Sequence, residues 1–260
     1  MKISVCGKGG SGKSSIVTLL AGGARDRGYQ VLVVDSDESN SGLYRMLGFD
    51  RIPIPLMGLV GGKKGLKQKM GQPQVLSQAE IWPRDIPLDY MLERDGIRMV
   101  AVGKILQALE GCACPMGVLS REFLKKLCLE SDEIVLVDME AGVEHFGRGV
   151  ETSIDSVLIV VEPSLESVEL AERINSLANG SGISSVWAVL NKIASEGVNS
   201  KLRDELMKRN IAVIGSITND PEIFEACLEG RPVYTGKANG GVEKVLDVLL
   251  ERKTLPGRKA

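Results

Sequence analysis

Short apolar runs alternate along the chain with longer stretches in which apolar residues recur every three or four positions. The apolar runs are Ile3–Val5, Val31–Val34, Ile97–Val102, Ile134–Val137, Val157–Val161, Val186–Leu190 and Ala212–Ile217. The stretches with helical spacing include Ser14–Arg27, Leu165–Leu177 and Leu202–Arg209. Such alternation is typical of a parallel sheet with helices on both faces. We therefore predict an α/β fold with a mostly parallel twisted sheet of about seven or eight strands, in one domain over residues 1–260.

Three later segments need separate interpretation. Gly58–Pro73 is rich in glycine and lysine and is predicted to be a mobile, basic part of the surface. Lys104–Pro115 follows the third predicted strand and carries two closely spaced cysteines. The last predicted helix, Val242–Arg252, has an apolar face that we expect to pack on the domain. Its polar side is mixed in charge, which does not favour a membrane-binding helix.

The composition limits the classes of function. A formal net charge of −2 and 4% aromatic residues do not indicate nucleic acid or an anionic membrane as partner. No apolar run approaches the roughly 20 residues that a membrane-spanning helix needs. The first residues lead into a strand and do not form a signal peptide, so we expect a cytoplasmic protein with reduced thiols. Its five cysteines are then expected to be core residues, metal ligands or reactive thiols.

A phosphate-loop pattern lies between the first predicted strand and the first predicted helix. It consists of Gly7, four further residues, and then Gly12-Lys13-Ser14. In such loops, backbone N–H groups and a helix N-terminus converge on phosphate oxygens. We expect Lys13 to bridge the β- and γ-phosphates of ATP and Ser14 to ligate Mg²⁺. The other predicted nucleotide contacts are Gly9, Gly10, Ser11, Gly12 and Ser15.

Lys8 is an additional lysine inside this loop. The run from Lys8 to Ser14 resembles the deviant phosphate loop of the MinD/ParA/nitrogenase-iron-protein ATPases. The resemblance implies that Lys8 reaches the partner's nucleotide across a face-to-face homodimer. A cation at the transferring phosphoryl group would stabilise developing charge there, as arginine fingers do.

Three aspartates follow buried strands: Asp35 and Asp37 after Val31–Val34, and Asp138 after Ile134–Val137. The carboxyl ends of parallel strands are where ligands bind in such sheets. Singly, each aspartate is as compatible with a helix cap as with a ligand site. The family resemblance implies that Asp37 orients the attacking water, while Asp35 and Asp138 support the Mg²⁺ shell. It also implies that Gly142 lies close to the γ-phosphate.

The strand Val186–Leu190 is followed by Asn191-Lys192 and then by Ile193-Ala194. Guanine-binding proteins commonly have Asn-Lys-x-Asp at this place, so the missing aspartate favours ATP. The resemblance implies that Asn191, beside Lys192, contacts the adenine edge. We expect Pro221 and Glu222, in the loop after the last strand, to close over the base. A plain helix start with Asp220 as cap is a compatible alternative.

Cys112 and Cys114 have metal-binding spacing, but two thiolates fill only half of a tetrahedral site. A two-fold dimer would bring the same pair from its partner and complete a four-cysteine site. The other cysteines lack this spacing and are expected to be small core residues, the last two in helices: Cys6, Cys128 and Cys227. For His145, the only histidine, a local structural role is favoured over metal binding.

The runs Asp138–Gly149 and Val160–Ser164, together with the cysteine pair, resemble the CooC family. These proteins are accessory ATPases in the maturation of nickel carbon monoxide dehydrogenase. The similarity covers most of the chain and is most specific between Cys112 and Ser164. It implies an ATP-dependent homodimer that binds Ni²⁺ or Zn²⁺ through four thiolates and assists nickel insertion. Close relatives serve acetyl-CoA synthase, so the client enzyme stays open.

Two other functions would use the same nucleotide chemistry. A spatial organiser of the MinD/ParA type needs a membrane helix or a basic DNA surface, and the slightly acidic chain argues against both. A reductase component similar to the nitrogenase iron protein would hold an iron–sulfur cluster between four cysteines. In that reductase family, however, the ligands are well separated in sequence.

Overall fold

The computed structural model describes residues 1–39, 42–69, 72, 74–104, 114–233 and 239–254. Within these ranges one eight-stranded sheet has the order β3-β4-β2-β5-β1-β6-β7-β8. Its strands are β1 Lys2–Gly7, β2 Gln30–Asp35, β3 Met91–Arg94, β4 Ile97–Ala101, β5 Glu133–Asp138, β6 Ser156–Val161, β7 Val186–Ile193 and β8 Ala212–Thr218. Only the β3–β4 pair is antiparallel in this sheet. The predicted mostly parallel sheet is therefore confirmed.

Helices connect the strands and cover the sheet. They are α1 Lys13–Asp26, α2 Leu43–Met46, α3 Gly62–Lys69, α4 Cys114–Lys126, α5 Glu144–Gly147, α6 Leu165–Gly180, α7 Glu196–Met207, α8 Pro221–Glu229 and α9 Asn239–Thr254. Short 3₁₀ helices span Leu56–Val60, Pro83–Asp85 and Val150–Ser153.

The central strands are buried on both faces. In β2, Val31 and Val33 pack into the core beneath α1 and α9, whereas Leu32 and Val34 pack into the core beneath α4 and α6. Successive strand residues point to opposite faces, so a strand with a core on each side needs apolar residues at every position. This explains the continuous apolar runs in the sequence.

The apolar face of α9 packs on the sheet and on α1, as predicted. Val245 and Leu246 are at most 2% exposed, and Gly23 of α1 leaves room for the Leu246 side chain. Within the described ranges, none of the helices combines the length and the apolar character needed to span a membrane.

The segment predicted as mobile, basic surface contains a packed helix. Leu66 of α3 is completely buried in the core shared with α4, while Lys64 and Lys67 on the same helix are exposed. The burial of Leu66 therefore anchors a helix that the glycine- and lysine-rich composition did not predict.

Two of the cysteines differ from their predicted environment. Cys6 is buried within β1, as expected for a core residue. Cys128 is half-buried and follows α4, which ends at Lys126, so it is not helical. Cys227 is in α8 but exposed, because Ala226 is the residue of that helix which faces the core. The prediction of a core position is therefore wrong for Cys227.

Candidate functional site

The phosphate loop joins β1 to α1 and is closed by a hydrogen bond from Ser11 N to Lys8 O at 3.1 Å. Gly12 precedes the helix with φ of 93°, in the left-handed region that favours glycine. A Cβ atom at this position would overlap the amide nitrogen of Asn191. The N-cap residue Gly12 makes no side-chain capping hydrogen bond, and the N-terminus of a helix favours an anion.

Three lysines surround this loop. Lys13 is 7% exposed and its Nζ donates to Lys8 O at 3.4 Å, so its ammonium group lies over the loop. Lys8 Nζ lies 3.2 Å from Glu162 Oε1 and 3.5 Å from Ser164 Oγ. The ammonium group of Lys8 is thus held within its own subunit.

Glu162 links two of these lysines. Its Oε2 accepts from Lys192 Nζ at 2.9 Å, and the same ammonium group donates to Gly10 O at 2.5 Å. Hydrogen bonds from Lys192 and Lys8 hold the pKa of Glu162 below its usual range. Sequence analysis assigns Glu162 no role beyond its place in the run Val160–Ser164, because an ion pair between distant residues has no local sequence pattern.

Strand register brings the predicted carboxylates together. Asp138 of β5 pairs with Asp35 of β2 on one side and with Val5 of β1 on the other. Ser14 Oγ donates to Asp138 Oδ2 at 2.6 Å. Asp37 is 9% exposed, and its Oδ1 accepts from the N–H and the hydroxyl of Ser39 at 2.9 and 2.6 Å. The hydroxyl and the carboxylates predicted for Mg²⁺ therefore meet at one edge of the sheet.

Burial and mutual repulsion raise the pKa values of Asp35 and Asp138, so a nearby cation would stabilise their charged forms. Burial raises the pKa of Asp35 to about 7; the charge of Lys104 opposes this rise and that of Asp138 adds to it. Burial also raises the pKa of Asp138 to about 6, against the hydrogen bond from Ser14 and the charge of Lys13. Asp35 Oδ1 is buried and accepts no hydrogen bond from the described residues. This oxygen and the hard oxygen donors around it fit a hydrated Mg²⁺ ion.

Lys104 is a site residue that sequence reasoning missed. It is 4% exposed, with Nζ 2.7 Å from Asp35 Oδ2 and 2.6 Å from Asp37 O. A signal existed, because Lys104 follows the apolar run Ile97–Val102 and so lies at the same edge of the sheet as the aspartates.

A cavity of about 210 Å³ lies beside the loop, where the adenine base is expected. Asn191 and Lys192 line it, and Asn191 Nδ2 donates to Ser11 O at 2.8 Å. Pro221 and Glu222 open α8 and are exposed, with Asp220 Oδ1 accepting from Glu222 N at 3.0 Å; their closure over the base stays a prediction. The structure thus shows the plain helix start at this point. The neighbouring residues that line the cavity are Thr218, Asn219, Asp220, Ile223, Phe224 and Cys227, together with Ser15 of α1.

The predicted cargo site falls mostly outside the described residues. Cys112 lies in the range 105–113, which is not described, and Cys114 is the first residue of α4. The described part of the chain contains no group of three or more residues suited to hold a metal ion through His, Cys, Asp or Glu side chains. His145 is 1% exposed and its ring centroid lies 4.8 Å from that of Phe146, as expected for a local structural role.

The comparisons with known proteins agree with this geometry. The sequence profile of the CobQ/CobB/MinD/ParA nucleotide binding domain matches residues 3–233. The chain is 42% identical to an uncharacterised ATP-binding protein of Methanocaldococcus jannaschii, over 96% of this chain and 98% of that protein. It is 34% identical to the carbon monoxide dehydrogenase accessory protein CooC of Rhodospirillum rubrum, over 97% of each chain.

Solved structures confirm the fold class. The septum site-determining protein MinD of Pyrococcus horikoshii, complexed with Mg-ADP, superposes with a TM-score of 0.69 at 18% identity, over 98% of this chain and 99% of that chain. The MinD cell division protein of Aquifex aeolicus gives 0.68 at 18% identity, over 99% of both chains. With the profile match over residues 3–233, the chain belongs to the CobQ/CobB/MinD/ParA family of nucleotide-binding proteins.

Proposed function

We propose that this protein binds and hydrolyses ATP at the phosphate loop. The observation that carries the proposal is the convergence of Lys13, Ser14, Asp35 and Asp138 at the carboxyl ends of three adjacent strands. Ser14 Oγ and the free Asp35 oxygen, with Asp138, would hold Mg²⁺ and its water shell. When bound, Mg²⁺ neutralises charge on the β- and γ-phosphate oxygens.

The surrounding side chains supply the remaining roles. Lys13 leaves its long hydrogen bond to Lys8 O and binds the phosphate oxygens of ATP. Asp37, two residues beyond the end of β2, orients the attacking water through its carboxylate. Lys8 leaves Glu162 and reaches the nucleotide of a second subunit, which makes the active form a homodimer.

Two variants separate binding from hydrolysis. Lys13→Ala should abolish ATP binding, because the loop loses its only buried cation within the described residues. Asp37→Ala should bind ATP normally, lower kcat about 100-fold and accumulate as an ATP-bound dimer. Equilibrium binding, phosphate release and light scattering measure these effects. Hydrolysis at the wild-type rate by Asp37→Ala would refute the role given to Asp37.

We further propose that ATP drives a metal-delivery cycle. The support is the 34% identity to CooC over nearly the full length of both chains, together with the Cys112 and Cys114 spacing. Four thiolates from two subunits would bind Ni²⁺ or Zn²⁺ as cargo. ATP binding would close the dimer around the metal and hydrolysis would reopen it. The client would be nickel carbon monoxide dehydrogenase, acetyl-CoA synthase or a related nickel enzyme.

Metal content tests this second proposal. Protein purified without chelator should carry about one Ni²⁺ or Zn²⁺ per dimer. The Cys112→Ser/Cys114→Ser variant should lose this metal, whereas Cys227→Ser, which removes an exposed thiol elsewhere, should keep it. Equal metal affinity in the double cysteine variant and the wild type would exclude the proposed site. Visible absorbance after anaerobic purification would point to the iron–sulfur alternative.

A further inference from the structure

Lys104 contacts Asp35, the last residue of β2, and Asp37, two residues beyond the strand. Its ammonium group pairs with Asp35 Oδ2 at 2.7 Å and donates to the main-chain carbonyl of Asp37 at 2.6 Å. Both side chains of the ion pair are at most 4% exposed. Burying a charged pair costs desolvation energy that is regained only with good geometry, so such a pair needs an explanation beyond stability.

The ion pair involves Asp35, a proposed Mg²⁺ site residue, and lies next to Asp37, which is proposed to orient the attacking water. Lys104 pairs with one oxygen of Asp35, while the other, Oδ1, is buried and has no hydrogen-bond partner among the described residues. The intervening Ser36 is fixed as well, because its N–H donates to Asp138 O at 3.0 Å. Lys104 therefore holds the side chain of one predicted site residue and the main chain of another.

A second buried ion pair in the same sheet offers a comparison. Arg98 Nη2 of β4 lies 2.7 Å from Glu133 Oε1 of β5, and both side chains are 10% exposed. These residues lie toward the amino ends of their strands, at the edge of the sheet opposite the phosphate loop. Arg98 is thus a buried cation with comparable burial but no contact with the site.

We propose that Lys104 is a positioning residue for ATP hydrolysis, which fixes the free oxygen of Asp35 and the main chain of Asp37 in the geometry that the reaction needs. The inference rests on the proposed ATPase function. Its ion pair and its hydrogen bond engage Asp35 and Asp37, to which the proposed function gives roles in Mg²⁺ binding and in orienting water. Lys104 should therefore affect the Mg²⁺-dependent steps and leave the Mg²⁺-free affinity for nucleotide unchanged.

The test compares Lys104→Met with Arg98→Met below the melting temperature of both. Each variant loses a buried cation, and each should melt at a lower temperature than the wild type. Lys104→Met should lower kcat about 10- to 100-fold and raise the Mg²⁺ concentration for half-maximal activity about 10-fold. Its ADP affinity in EDTA should match that of the wild type. Arg98→Met should retain the wild-type kcat and Mg²⁺ dependence.

Several outcomes would overturn the proposal. One is a wild-type kcat and Mg²⁺ dependence in folded Lys104→Met; another is an equal loss of kcat in Arg98→Met. If Lys104→Met does not fold, Lys104→Gln keeps a donor for Asp37 O without the charge and should show the same shift in Mg²⁺ dependence. An unchanged dependence in Lys104→Gln contradicts the role.

A readout that needs no turnover separates this inference from the proposed function. Mg²⁺ should increase the ADP affinity of the wild type, and this gain should be lost in Lys104→Met. If the wild type hydrolyses no ATP, the ATPase proposal fails, while the Mg²⁺-dependent gain in ADP affinity still decides whether Lys104 positions Asp35 for Mg²⁺.

Discussion

At the scale of single residues, Gly12 lies where the phosphate loop meets the first turn of α1. Its φ of 93° and the overlap of a Cβ with Asn191 both require glycine. Gly12→Ala should cost about 1–3 kcal/mol of unfolding free energy and weaken nucleotide binding. Gly22→Ala is the matched control, because it lies in α1 with open space around a Cβ and should gain about 0.5–1 kcal/mol. Equal stability of the two variants in denaturant unfolding would contradict this reading of Gly12.

Glu162 restrains the lysine that the proposed dimer needs. Glu162→Gln removes the charge that Lys8 and Lys192 share, a half-exposed interaction worth about 1 kcal/mol. We therefore expect ATP-dependent dimerisation at about fivefold lower ATP concentration, measured by light scattering. Glu172→Gln, which breaks an exposed pair with Arg209, should leave the ATP requirement unchanged. A higher ATP requirement in Glu162→Gln would show that Glu162 supports the dimer.

His145 gives the chain a single imidazole probe. Burial lowers its pKa to about 3, and the charges of Arg148 and Lys13 act in the same direction. Below about pH 6.5 the imidazole of His145 binds a proton in the unfolded chain but not in the folded chain. The contribution of His145 to the free energy of unfolding is therefore complete above pH 6.5 and is lost as the pH falls toward 3. The imidazole proton signals should not shift between pH 8 and 5 in NMR spectra. A titration midpoint near 6.5 would show that the ring is accessible to water.

At the scale of elements, α9 depends on close packing against α1. Leu246 is 2% exposed and lies against Gly23, so Leu246→Ala should cost about 2–5 kcal/mol of unfolding free energy. Leu228→Ala on α8 removes the same atoms from a side chain that is 76% exposed and should cost less than about 0.5 kcal/mol. Denaturant unfolding measures both. A stable Leu246→Ala variant would mean that the apolar face of α9 is not held in the core.

The strands that the sequence predicts are those whose residues form a continuous apolar run. Seven apolar runs correspond to seven strands of the sheet. The eighth, Met91–Arg94, is an edge strand with two exposed residues, so its apolar pattern is weak and only the Asp95-Gly96 turn after it signals a hairpin. Helix α3 escaped prediction because Leu66 is its single buried residue.

The same contrast holds at the site. The phosphate loop has a local motif, and the aspartates follow apolar strands, so both can be predicted from the sequence alone. The contacts of Lys104 and Glu162 join residues separated by 67 and 154 positions, and no local pattern encodes such pairs. The residues of the phosphate loop and the aspartates can therefore be predicted from the sequence. The contacts of Lys104 and Glu162 with the site depend on the order of the strands in the sheet and can be found only in the structure.

At the scale of the whole molecule, the fold places the nucleotide site at one edge of the sheet, where Lys8 is partly exposed. A subunit facing this edge would meet both Lys8 and the nucleotide. Helix α4, which begins at Cys114, follows β4 at the same edge. In the proposed cycle, ATP closes two subunits around a metal ion at this edge.

The most direct test measures metal content and mass in solution on the same sample, once with ADP and once with a slow-hydrolysing ATP analogue. We expect the analogue to produce a dimer with about one Ni²⁺ or Zn²⁺ ion per two chains. We also expect the Cys112→Ser/Cys114→Ser variant to dimerise without metal. A protein that stays monomeric with the analogue, or a double cysteine variant that retains the metal, would contradict the account.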